Sequence, residues 1–145
     1  MVALVFLCCA PVGHARETLK VVSICKLQDT VAPGTHVKVR VSGVYGPGLD
    51  ETVLADAECP NASTWVELAL RSQENKEKLR KLLDRSRLAY VVVEGELYGP
   101  PLADPNLPEA VKNHYHPGWG HLAAFPNKLV VYRIDAVNAV GGHAR

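Results

Sequence analysis

Two stretches of this chain, His36 to Tyr45 and Ala89 to Tyr98, alternate apolar and polar residues, and each has a glycine inside the alternation. In the first, Val37, Val39 and Val41 oppose Lys38, Arg40 and Ser42; in the second the apolar set runs through Val91, Val93 and Leu97. Period-2 alternation marks a half-buried strand. A glycine within such a strand marks a bulge or a sharp bend. Gly43 and Gly95 therefore predict strands that curl.

Three further segments read as strands. Glu51 to Asp56 is the weakest and follows a Gly46-Pro47-Gly48 turn. Thr64 to Leu70 sets Val66, Leu68 and Leu70 against Trp65, Glu67 and Ala69, and Lys128 to Val137 is rich in β-branched residues. Gln73 to Arg87 changes period: Leu79, Leu82 and Leu83 make a narrow apolar stripe, which predicts a surface amphipathic helix. Ser23 to Thr30 predicts a short helix capped by Ser23, Pro33-Gly34 a turn, and 141–145 a frayed tail. A small antiparallel sheet leaves open edges unless it curls and closes. The OB-fold closes five strands into a partly open barrel. The segments HVKVRVSGVYG, LADAECP, TWVEL, AYVVVEGELYGPP and GWGHLAAFPNKLVV resemble small exported bacterial OB-fold-like proteins, a largely uncharacterised group. The resemblance runs from about Val22 to Val140 and implies a fold and an export route but no activity. The expected fold is mainly β: a five-stranded OB-like barrel, one helix between strands 3 and 4, and a long proline-rich loop between strands 4 and 5.

The chain has 145 residues, 48% of them hydrophobic, and 16 Lys+Arg against 15 Asp+Glu for a formal net charge of +1. These values fit one globular domain and exclude a disordered tail, a collagen-like repeat or a strongly basic nucleic-acid arm. Met1 to Val12 carries no charge and leads into Gly13, His14, Ala15 and Arg16. An apolar run of this form resembles a secretory signal peptide and is shorter than the ~20 residues a membrane span needs. No Lys or Arg precedes it, so the signal is atypical or the true start lies upstream. A buried first strand is the alternative, against which Cys8-Cys9-Ala10-Pro11 argues; a lipid-attached Cys8 or Cys9 fits less well. The expected division is 1–15 as signal peptide and 16–145 as a single OB-like domain. That domain would be exported, periplasmic or extracellular, with no transmembrane span in the mature chain. Cys25 and Cys59 then remain, and an even pair in an oxidising compartment most simply forms one disulfide; two free buried thiols are the alternative. Neither lies in a CxxC pair, which argues against a zinc-cysteine or thioredoxin-type site. Asn61-Ala62-Ser63 is a glycosylation sequon in a glycosylating host, and otherwise a polar turn after Pro60.

OB-folds bind ligands on strands 2 and 3 and on the loops joining strands 1–2 and 4–5. Here those loops are Tyr45 to Glu51 and Gly99 to Asn127. The second far exceeds the ~4–6 residues of a median connection. It is stiffened by six prolines from Pro100 to Pro126 and carries Tyr115, Trp119 and Phe125. Two arrangements follow: a lid over one barrel end, or a plug that covers an open edge with its aromatics in the core. The plug is favoured, because aromatics beside prolines more often pack than bind. The candidate contact residues for an unidentified protein partner or envelope ligand are Tyr45, Trp65, Tyr98, Tyr115 and Trp119. A second reading, from a different class, is a metal-binding or metal-dependent protein. His114, His116 and His121 stand in H-x-H-x4-H spacing and could hold zinc or copper. His121 otherwise reads as a structural residue of the loop.

The helix 73–87 mixes six basic and three acidic residues at spacings such as Glu77–Arg80 and Glu77–Lys81, so a solvated, salt-laced face is expected. Tyr45, Trp65, Tyr90 and Tyr98 could stack bases, but a near-neutral chain lacks the charge that nucleic acid requires. Neither G-x-S-x-G, H-E-x-x-H nor a phosphate loop occurs. Glu94 and Glu96 alternate on one strand face without an evident acceptor. The expectation is an exported, non-catalytic binding or interaction module that needs no cofactor.

Overall fold

The computed structural model describes residues 19–27, 30–47, 52–112, 114 and 117–140; the expected signal segment 1–15 and the tail 141–145 lie outside them. The elements are β1 (Val21–Ser23), β2 (His36–Pro47), β3 (Thr52–Ala55), β4 (Thr64–Leu68), α1 (Gln73–Ser86), β5 (Ala89–Tyr98) and β6 (Lys128–Ala139). Strands β2, β3, β4, β6 and β5 are hydrogen-bonded in that order, and β5 pairs back onto β2. Five strands thus close into a barrel, with α1 as the one main helix. Neighbouring barrel strands are antiparallel except β4 and β6, which run parallel.

The two glycine-bearing strands form the closing pair, from His36 opposite Tyr98 to Tyr45 opposite Ala89. Val39, Val41, Gly43 and Tyr45 face inward on β2, as do Ala89, Val91, Val93, Gly95 and Leu97 on β5. A Cβ on Gly95 would collide with the Val130 carbonyl oxygen, and one on Gly43 would stand 2.9 Å from that of Ala55. At each glycine, where the sequence predicts a bulge or bend, neighbouring backbone fills the space of a side chain, and the β2–β5 register runs past both without a shift.

The N-terminal segment differs from expectation. Val21–Ser23 is a short strand, parallel to Arg40–Ser42. β3 pairs with β2 only from Val44 onward, so the earlier part of that edge is bare, and β1 covers it. The helix expected from Ser23 shrinks to one 3-10 turn over Ile24–Lys26. Ser23 Oγ caps it, accepting from the Cys25 amide at 3.2 Å, and donates to Asp56 at 3.0 Å. Ile24, Leu27 and Val31 join Val41, Leu54, Leu97 and Leu129 in the core. A Cys25–Cys59 disulfide, Cα to Cα 5.7 Å, ties this segment to the β3–β4 connection. The expected Gly46-Pro47 turn is instead the end of β2, with Gly46 opposite Val53 and Pro47 opposite Thr52. At the last strand position the missing proline N–H interrupts no continuing ladder.

α1 packs on β5 and β6. Leu79 is buried, and Leu82 and Leu83 lean on the core. On its solvent face Arg80 pairs with Glu77 at 2.8 Å and Asp84 at 3.3 Å, and Lys81 reaches Glu77 at 3.7 Å. Among the described residues no helix is long and apolar enough to cross a membrane.

β6 is where strand periodicity breaks. Its buried residues are Leu129, Val131, Ile134 and Val137. Register shifts against β5 leave Tyr132 and Asp135 as extra residues: Glu94 faces Arg133 while Gly95 faces Val131, and Val92 faces Ala136 while Val93 faces Ile134. Each bulge turns a residue outward that strict alternation would bury. Tyr132 and Arg133 thus both project from the barrel, as do Asp135 and Ala136.

The disulfide closes a loop with a sequence separation of 34, for which loop entropy gives about 4 kcal/mol. The Cys25→Ser, Cys59→Ser double variant should therefore unfold at lower denaturant concentration, and an unchanged midpoint would remove the staple from the fold's energetics.

Candidate functional site

The outer surface of the barrel carries one continuous cross-strand row. Trp65 on β4 faces Lys128 on β6, Lys128 faces Tyr98 on β5, and Tyr98 faces His36 on β2. Tyr98 is the last residue of β5 and Lys128 the first of β6, so the loop 99–127 leaves and returns at this row. It lays Trp119 on top. The Trp119 indole N–H donates to the Gly99 carbonyl at 2.9 Å. Its backbone pairs with Phe125 in both directions, at 2.7 and 3.1 Å. Trp119 lies 6.4 Å from Trp65, roughly parallel, and 6.3 Å from Tyr98, edge-on; His36 stacks on Tyr98 at 5.0 Å. The three rings surround the Lys128 ammonium, which lies 4.2 Å from the Trp119 centroid, 5.2 Å from Tyr98 and 5.7 Å from Trp65. Its side chain is only 16% exposed and is also 3.5 Å from Glu67. A partly desolvated cation among ring faces holds them together through their quadrupoles. Lys128 is thus the strut of an aromatic cluster whose rings remain half-exposed.

Below this row a second set of polar groups follows on β5 and β6. Tyr98 donates to Glu96 at 2.9 Å, and Tyr132, turned outward by its bulge, donates to the same carboxylate. Two phenol donors hold the Glu96 carboxyl below the usual carboxylate range, Tyr132 contributing most. In return the carboxylate pushes the Tyr132 hydroxyl up to about 12. One step further, Arg133 pairs with Glu94, and with Asp135 at 2.6 Å, while Asp135 also takes Arg40 at 2.6 Å. Bulge residue Asp135 thereby links β2 and β6 across the intervening β5.

Of the residues singled out from sequence, the fold brings Trp65, Tyr98 and Trp119 together. Tyr45 lies elsewhere: it is 4% exposed in the core, opposite Ala89 at the far end of the β2–β5 ladder, and burial raises its hydroxyl pKa. An inward strand position explains this. Tyr115 and His116 lie outside the described residues, and His114 and His121 are both exposed. Among the described residues no group of three His, Cys, Asp or Glu side chains is placed to hold a metal. Trp119 sits on the barrel's outer face, against Trp65 and Tyr98, where the favoured plug arrangement had put the loop's aromatics in the core. Sequence reasoning missed Lys128, Tyr132 and Asp135. The available signal was the lost alternation in KLVVYRIDAV, where the adjacent pairs Tyr132-Arg133 and Asp135-Ala136 mark the bulges.

The turn that presents Trp119 is strained. Gly120 has φ 72°, and Leu122 and Ala123 both have φ 55°, although neither is a glycine. Leu122 is 86% exposed at the tip. Left-handed backbone costs a non-glycine residue ~1–2 kcal/mol.

Comparison with protein-family models, with curated proteins and with solved structures finds no match to this chain.

Two outcomes follow from this geometry. Tyr132 is protonated in the folded state with a raised pKa, so its contribution to stability is complete below the ordinary tyrosine value of 10.0 and is lost as pH rises through about 12. Tyr45 and Tyr98 are raised as well, so ultraviolet titration should show Tyr132 among several late tyrosines, and Glu96→Gln should bring Tyr132 back toward normal. Leu122→Gly should raise stability by up to about 1 kcal/mol by relieving the turn; a lower melting midpoint would show that the leucine side chain has a packing role.

Proposed function

We propose that this chain is an exported, non-catalytic binding module of the OB type that engages a protein partner or envelope ligand over the Trp65–Tyr98–Trp119 strip. Three features support the OB assignment: the barrel's strand order, a helix in the connection between its third and fourth strands, and a long loop between its fourth and fifth. In such barrels ligands lie where strands 2 and 3 meet the loops of the same end. The strip draws on β4, on the end of β5 and on that long loop. A disulfide is compatible with export. The observation that carries the binding reading is the meeting of three large aromatic side chains, distant in sequence, on a half-exposed outer face. Aromatic residues with one wet side are the usual anchors of contact surfaces.

The chain contains only two tryptophans, and both lie in this strip, so intrinsic fluorescence reports on the site. A bound partner should shift or quench that emission. Trp119→Ala should weaken binding by about tenfold, the worth of one good aromatic contact, while the melting midpoint stays within a few degrees. A partner held equally well by Trp119→Ala and Trp65→Ala would move the contact surface elsewhere.

A further inference from the structure

The strip does not end at Tyr98. Beyond Glu96 the outer face of β5 and β6 opens into a groove of about 570 Å³, walled by Lys38, Arg71, Asn75, Glu94, Glu96 and Tyr132. This volume is within the range of ligand-binding clefts. Tyr98 belongs to both regions, through its ring to the aromatic cluster and through its hydroxyl to Glu96. From Glu94 to Tyr98 along β5 is about 13 Å of strand, so strip and groove together are longer than a single small ring.

The charges in the groove floor are already answered within the protein. Glu94 holds Arg133, Arg133 holds Asp135, Asp135 holds Arg40, and Glu96 receives two phenols. A cationic ligand would have to break such pairs, and an anionic one would meet the Glu94 and Glu96 carboxylates that share the groove with its cations. A hydroxyl both donates and accepts, and can join them intact. A carboxylate has about four acceptor sites, and on Glu96 the phenols use two. Lys38 stands opposite Glu96 on the neighbouring strand, where its charge favours that carboxylate, and Arg71 lies on the groove wall, so both supply donors. Asn75 gives its amide N–H to the Ile134 carbonyl at 3.1 Å and offers its own carbonyl as acceptor. Polynucleotides would require an excess of cations, which Glu67, Glu94 and Glu96 deny this face. A peptide that binds by adding a strand would require a free strand edge, and among the described residues the closed barrel offers none on this face.

We propose that strip and groove form one surface for a neutral saccharide chain. A sugar ring lies on Trp119 and Trp65, and hydroxyls of the following rings bond to Glu96, Arg71 and Asn75. The inference rests on the strip being a contact surface, as proposed above, and adds the class of ligand.

The test uses the whole chain, screened on a broad array of neutral glycans and titrated with cellotetraose, maltotetraose and chitotetraose, read by tryptophan fluorescence and calorimetry. At least one neutral class should bind, with a dissociation constant that changes less than about twofold between about 50 and about 500 mM NaCl. Trp119→Ala should weaken it about tenfold. Arg71→Ala, which removes a surface donor, should weaken it by several-fold with the melting midpoint unchanged, and Glu96→Gln, which keeps the shape of the side chain, should weaken it by several-fold when measured well below that variant's own melting midpoint. Binding confined to sulfated or uronic-acid glycans, falling steeply with salt, would overturn the neutral saccharide in favour of an anion site. If no glycan binds but a peptide or protein quenches the tryptophans, this inference fails and the strip stands. Saccharide binding abolished by Glu96→Gln or Arg71→Ala but untouched by Trp119→Ala would keep the groove and overturn the strip.

Discussion

The pairing of β5 back onto β2 is the constraint on which the rest of the structure depends. It runs from the His36–Tyr98 pair to the Tyr45–Ala89 pair and converts an open sheet into a barrel without free edges among its closing strands. Closure requires tight curvature, and Gly43 and Gly95 permit it where a Cβ would meet neighbouring backbone oxygens. With the barrel closed, a single apolar interior holds Val41, Leu54, Leu97 and Leu129. The outward side chains of β4, β6, β5 and β2 then form rows around it. The aromatic row exists only because those strands are neighbours in that order.

Within this frame β6 does the most to shape the surface. A regular strand would send Tyr132 or Arg133, and Asp135 or Ala136, into the core. Two bulges avoid this while keeping Ile134 and Val137 buried. The cost is two residues without ladder partners. The return is a band of linked polar groups, from Arg40 through Asp135 and Arg133 to Glu94, beside a carboxylate held by two phenols. Exposed ion pairs add little stability one at a time. Their stronger effect is on orientation, since each fixes a neighbour on a groove wall that also carries Arg71 and Lys38.

The aromatic cluster is held by two unlike devices. Lys128 binds the rings from below through cation–π contacts, and a strained turn fixes Trp119 from above through the Trp119–Phe125 pairing and the bond to Gly99. Strain at Leu122 and Ala123 persists because both ends of the turn are tied down. A ring held in this way loses little freedom when it makes a contact, which favours a pre-formed contact surface.

The sequence by itself determined the strands that alternate cleanly, the helical stripe of Leu79, Leu82 and Leu83, and the missing side chains at Gly43 and Gly95, and it pointed to Cys25 and Cys59 as a disulfide pair once residues 1–15 are set aside. Each is a local signal: a side-chain period, a missing Cβ, or an even cysteine count. It also singled out Trp65, Tyr98 and Trp119 as aromatics worth watching, but gave no reason to separate them from Tyr45, which belongs to the core. Only the tertiary structure decided that, because inside and outside of a strand exchange with a one-residue change of parity, and parity is set by register against neighbours far away in the chain. The same reason hid the roles of Tyr132 and Asp135, whose outward direction comes from bulges against β5. Lys128 was hidden too, since a lysine at a strand start becomes a strut only when three rings from three distant segments close around it.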